Sequence, residues 1–65
     1  MNKAEKREVQ KLRTWTEAGL CSPGMVARIL SAMVRASRTS RSRTELLQVA
    51  DELGVKGHPE FIARI

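Results

Sequence analysis

Between Pro23 and Arg35 the large apolar residues fall at Met25, Val26, Ile29, Leu30, Met33 and Val34. This recurrence at i, i+3 and i+4 is the period of an α-helix. At 100° per residue the six side chains fill an arc of roughly 180°, wide enough to touch two other helices. The segment therefore reads as a central core helix, and the rest of the chain has to supply its partners. Its start is equally legible: Ser22 stands as the cap and Pro23 at the first helical position. Cys21 precedes the cap and Val26 holds the staple position, so Cys21 reads as a packed side chain.

Three further helices are predicted around it. The first spans about 3–18, capped by Asn2 with Glu5 at the capping-box spacing and stopped by Gly19. Val9, Leu12 and Thr16 share one side, which Trp15 and Ala18 extend. Trp15 is expected in the core with its indole N–H at the surface, although beside Arg13 it could also stack on a base. The third helix spans about 43–53: "SRTE" offers Ser42 as cap and Glu45 as its box partner, with Leu46, Leu47, Ala50 and Leu53 facing inward. Gly54 ends it and Val55 tucks back. A short fourth helix is expected over 59–65, opening at Pro59 and carrying Phe61, Ile62 and Ile65. The predicted fold is all-α, a compact bundle of three main helices plus a short C-terminal helix in a single domain, 1–65. Helix two would span 23–37.

A chain of 65 residues buries only about 60% of its unfolded surface. The core should therefore be marginal, and with the broad apolar arc it leaves room for a homodimer. No pocket of the ~300 Å³ size used by small-molecule enzymes is expected. One cysteine excludes an internal disulfide and fits a reducing compartment. The apolar runs are too short to cross a membrane, and "MNKAEKREVQK" has no apolar stretch behind its charges to act as a secretory signal. The location read from these features is cytoplasmic.

The net charge is +5, and it is unevenly placed. Five cations against Glu5, Glu8 and Glu17 occupy the first seventeen residues. From Ala18 to Thr44 there are five arginines, Arg28, Arg35, Arg38, Arg41 and Arg43, and no acid. The remainder is acidic, with Lys56 and Arg64 against Glu45, Asp51, Glu52 and Glu60. Arginine is the cation suited to forked contacts with phosphate or carboxylate. Arg28, Ser31 and Arg35 are predicted on the polar face of helix two. Arg38 continues that face, and Arg41 and Arg43 fall in the following loop. Such a strip attracts phosphates, and the interleaved hydroxyls can donate to phosphate oxygens. The plainer alternative is a solvated face with its arginines paired internally to Glu45, Asp51 and Glu52.

The segment "VADELGV", Val49–Val55, resembles the first helix and turn of a helix-turn-helix motif. Ala50 would be the small residue against the partner helix, Leu53 the core residue, and Gly54 with Val55 the turn. The sequence departs from the family directly afterwards, with Gly57 and Pro59 where a recognition helix would begin. An ordinary helix end at Gly54 explains the same residues.

No metal, cofactor or catalytic machinery is predicted. Cys21 and His58 are two potential zinc ligands where a structural site needs four, and no nucleophile–base pair or phosphate loop is specified. The expected function is a small basic binding module and not an enzyme, associated with DNA or RNA through Arg28, Arg35, Arg38, Arg41 and Arg43. The alternative is a protein-binding regulator or inhibitor, an adaptor or a phage or mobile-element type, acting on an acidic or apolar surface of a partner.

Overall fold

Asn2 closes the first turn of the chain as the sequence predicts. A computed structural model describes residues 1–62, and in it Asn2 Oδ1 accepts from Glu5 N at 2.8 Å while Glu5 Oε1 accepts from Asn2 N at 3.0 Å. Helix α1 runs Lys3–Glu17, α2 Pro23–Ala36 and α3 Ser40–Glu52. The described residues are all-helical in their regular structure. The Cα radius of gyration is 10.7 Å, against about 11 Å expected for a folded chain of this length and about 25 Å unfolded.

Two helices end in the same way. Gly19 and Gly54 follow the C-caps of α1 and α3 with φ of 74° and 75°, the left-handed conformation that glycine adopts without steric cost. This brings Leu20 N to Trp15 O at 2.8 Å and Val55 N to Ala50 O at 2.9 Å. Both are the long backbone bond of a Schellman motif. At α3 it also turns Val55 into the core, where it is 2% exposed.

The core consists of Val9 and Leu12 of α1, Val26, Ala27, Leu30 and Val34 of α2, Leu46, Val49 and Ala50 of α3, and Val55. Helix α2 is central, as its wide apolar arc requires, and packs most closely on α3. Cys21, Ile29, Met33, Leu47, Leu53 and Phe61 pack partly buried around this cluster. Surface pairs tie α1 to α3 at two levels: the Met1 ammonium to Glu45 at 2.6 Å, and Arg13 Nη2 to Glu52 Oε2 at 2.8 Å. The two helices therefore run in the same direction.

Besides Met25, which the sequence puts in the core arc and which is 50% exposed at its edge, the fold departs from the sequence reading in five places. Helix α3 starts at Ser40, with Thr39 as its cap: Thr39 Oγ1 accepts from Ser42 N at 3.1 Å. Ser42 is not the cap. It sits one turn further on, buried, and its hydroxyl donates to Glu5 Oε1 of α1 at 3.4 Å. Starting the helix at Ser40 shortens the connection to Ser37–Thr39 and lets Ser42 face α1.

Ser31 is not on a polar face. It is 2% exposed, because the segment after α3 crosses α2 there: Ile62 N donates to Ser31 Oγ at 2.8 Å and Ser31 Oγ donates to Glu60 O at 3.4 Å. That segment, third, does not form the predicted C-terminal helix. Residues 59–62 are turn and irregular chain, and the rest of the predicted 59–65 helix lies outside the described residues. A recognition helix after Gly54 is therefore not found among the described residues either.

Trp15, fourth, is 39% exposed on the flank of α1, with Lys11 Nζ 5.7 Å from its ring centroid. It stands about 60° around the helix from Leu12, and Val9 and Leu12 alone reach the core from α1. Fifth, a cleft of about 560 Å³ opens between the start of α1 and the end of α2. A pocket of this size needs no large core, because it lies between the start of α1 and the end of α2 rather than inside the apolar cluster.

Candidate functional site

The exposed stripe of α2 consists of Met25, Arg28, Ala32, Arg35 and Ala36. Arg28 and Arg35 are seven residues apart, which places them about 20° apart around the helix and about 10 Å apart along it. Small Ala32 lies between them and leaves the face low. The predicted alignment of these two arginines is therefore present.

Their electrostatic surroundings differ. Arg28 Nε lies 3.3 Å from Glu60 Oε2. The chain has no acid near Arg28 in sequence, but the segment that covers Ser31 brings one in space. His58 helps to hold that segment: its Nδ1 accepts from Glu60 N at 3.0 Å. Arg35 is exposed, and among the described residues no carboxylate lies within 4.0 Å of it or of Arg38.

Arg38 leaves the end of α2 and lines the cleft. Arg41 and Arg43, expected in a loop, stand instead in the first turns of α3. Arg41 is the most open of the group, its side chain 91% exposed, with Nε 4.0 Å from Glu45 Oε1. Arg43 is half-buried and donates through Nη2 to Ser37 O at 3.4 Å, which turns it toward the end of α2. The pairings to Asp51 and Glu52 weighed for these arginines are not formed among the described residues; Glu52 is held by Arg13.

The first turn of α3 contains no acid. Cations there stand against the positive end of the helix dipole, so Arg41 and Arg43 add to a local positive potential that their own helix does not offset. Glu5 partly balances it from α1 through Ser42. Glu45 is committed elsewhere. The Met1 ammonium hydrogen-bonds to it and holds its carboxyl below the usual carboxylate range, with further attraction from Arg41 and Lys6.

The cleft adjoins this corner. Its α1 wall is Asn2, Ala4, Glu5 and Glu8, and the facing wall is Met33, Ala36, Ser37, Arg38 and Thr39, with Ser42 from α3. Ala4, Met33 and Ala36 give it apolar surface, and the two walls carry opposite charge. Ser37 Oγ is buried with no hydrogen-bond partner among the described residues. The sequence gives no sign of this cleft, since its two walls come from segments some thirty residues apart.

Among the described residues no three of His, Cys, Asp and Glu converge as metal ligands, and no helix is long and apolar enough to cross a membrane. Comparison with known protein families, characterised proteins and solved structures returned no match.

Proposed function

We propose that this chain is a small basic helical module that binds nucleic acid through Arg35, Arg38 and Arg41, with Arg28 and Arg43 at the flanks. The observation that carries the reading is the corner between α2 and α3. Three exposed arginines meet there, two of them with no carboxylate in ion-pair range among the described residues. The axial spacing of about 10 Å from Arg28 to Arg35 is too wide for one phosphate. It matches about three nucleotide steps at 3.4 Å per nucleotide along a strand. A polyanion satisfies such a row, and a single small anion does not.

The test is a titration of short DNA and RNA, single- and double-stranded, at two salt concentrations, with the parent and with Arg35→Gln/Arg38→Gln/Arg41→Gln. Affinity should fall in the triple variant, and the log–log salt slope should shrink by roughly 0.7–0.9 for each phosphate that is no longer neutralised. Absence of parent binding at about 50 mM salt removes the reading, because non-specific affinity is strongest there.

A second reading, a protein-binding regulator, draws on a different surface. Trp15, Leu20 and Met25 expose large apolar side chains around the α1–α2 turn, Leu20 at 72%. A partner protein or a second copy of the chain could cover them. Either reading suits a cytoplasmic protein whose Cys21 stays reduced. Under the second, the arginine variant leaves partner affinity intact and Leu20→Ser abolishes it.

A further inference from the structure

The cleft beside Arg38 is not used by a row of phosphate contacts, yet it shares a residue with that row. We infer that it takes one unstacked nucleobase, so that the ligand is single-stranded nucleic acid whose backbone runs over Arg35, Arg38 and Arg41. This rests on the nucleic-acid reading above and adds to it a strand preference and a base preference.

Four features support the occupant. The first is size: about 560 Å³ falls within the usual ~300–1,000 Å³ range of ligand clefts, and a base is small beside it. The second is surface. Ala4, Met33 and Ala36 line the cleft, and a thioether beside an aromatic ring is a favourable contact.

The third is polarity. A nucleotide carries its negative charge on the phosphate and its amino donors on the far edge of the base. The cleft has the reverse arrangement, with Arg38 on one wall and the Glu5 and Glu8 carboxylates on the other. Continuity with the arginine corner then fixes the direction: phosphate outward toward Arg38, base inward toward α1.

The fourth is the orphan at Ser37. Its hydroxyl is buried without a partner among the described residues, although such groups are paired in the great majority of cases. It belongs to the residue that lines the cleft next to Arg38. A rotation of the hydroxyl toward the cleft gives it a partner on the base or sugar.

The carboxylate wall sets the base preference. A carboxylate accepts hydrogen bonds and donates none. It suits cytosine, which presents an amino group where thymine presents a carbonyl. Glu5 Oε1 already accepts from Asn2 N and Ser42 Oγ. Among the described residues Glu8 is engaged only with Lys11 at 3.3 Å on the surface, and is therefore the wall residue to turn toward a base.

The experiment compares equal-length oligodeoxycytidine, oligothymidine and an abasic oligonucleotide with the same number of phosphates, each against the parent protein, with inorganic polyphosphate as the base-free control. Oligodeoxycytidine should bind roughly tenfold more tightly than the abasic strand, as burying about 55 Å² of apolar base surface against Ala4, Met33 and Ala36 at ~25 cal/mol/Å² gives, and more tightly than oligothymidine. Ala4→Leu/Ala36→Leu fills the cleft from two exposed positions. It should remove the advantage over the abasic strand and leave polyphosphate binding unchanged. Glu8→Gln should remove the cytidine-over-thymidine difference alone, and keeps the idea exposed to refutation if the filled variant does not fold.

Equal affinity of the parent for oligodeoxycytidine and the abasic strand overturns the inference. So does a folded, filled variant that keeps the difference. In both cases polyphosphate binding by the parent leaves the arginine reading standing. A parent that binds none of the four probes overturns both.

Discussion

Ser31→Ala separates the observed fold from the one the sequence suggests. On an exposed polar face the change would be nearly neutral, within about 0.5 kcal/mol. In the structure Ser31 is 2% exposed and its hydroxyl makes two bonds. At 2.8 Å the bond from Ile62 N has full strength, and at 3.4 Å the bond to Glu60 O is weak. Deletion leaves the Ile62 amide and the Glu60 carbonyl without their partner. The Ile62 end of the segment is exposed, so water can reach the freed amide and the cost stays near a net hydrogen bond rather than a full desolvation penalty. The expected loss is about 1–1.5 kcal/mol. A domain of this size shifts its midpoint by about 4–8 °C per kcal/mol, so Tm should fall by roughly 4–12 °C.

Thermal unfolding followed by circular dichroism reads that shift. Amide hydrogen exchange reads the mechanism, since protection at Ile62 should fall more than protection in α3. Ala32→Ser, one position along on the exposed stripe, serves as the control and should move Tm little beyond its helix-propensity cost. An unchanged Tm in Ser31→Ala, with Ile62 exchange unaltered, would refute the docking of the C-terminal segment on α2.

Three further outcomes are expected. Thr39→Ala should cost about 1 kcal/mol in urea unfolding, as should Ser22→Ala, whereas Ser42→Ala should cost less because the bond it loses is the long one to Glu5; a larger loss at Ser42 than at Thr39 would restore Ser42 as the cap. Glu45 has its folded pKa below its unfolded one, so its contribution to stability is complete above the unfolded value near pH 4.3 and disappears as pH falls through the folded value. Glu45→Gln should flatten Tm against pH in that acid window, read by thermal unfolding across it. The triple variant Arg35→Gln/Arg38→Gln/Arg41→Gln should keep the parent's Tm within a few degrees, since exposed pairs contribute only ~0–1 kcal/mol; a clear loss of Tm would mean these arginines hold the fold.

What could be read in advance follows the distance over which each signal acts. Asn2 with Glu5, and Ser22 with Pro23, act within three residues, and their spacing alone identifies them. The apolar arc of α2 is also local, and it gives Val26, Leu30 and Val34 correctly. At the start of α3, by contrast, Ser37, Thr39, Ser40 and Ser42 are all capping residue types within six positions. Local chemistry does not choose among them; Ser42 facing Glu5 across α1 does. Ser31 is buried by a segment some thirty residues later, so no window around α2 contains the cause. The same long reach hides the Arg28–Glu60 pair and the cleft. The aligned arginines were legible because a helix fixes the relation of residues seven apart, while their differing neutralisation was not.

The connection Ser37–Thr39 also bears on how the chain reaches its native state. With so few residues between two helices, closing the α2–α3 hairpin loses little chain entropy. Contacts of that kind are the ones that let helical proteins fold in microseconds to milliseconds. The contacts of Ser31 with Glu60 and Ile62 span about thirty residues and close a much longer loop. The chain should thus mature in order, hairpin first and the covering segment last, with Arg28 meeting Glu60 only at the final stage.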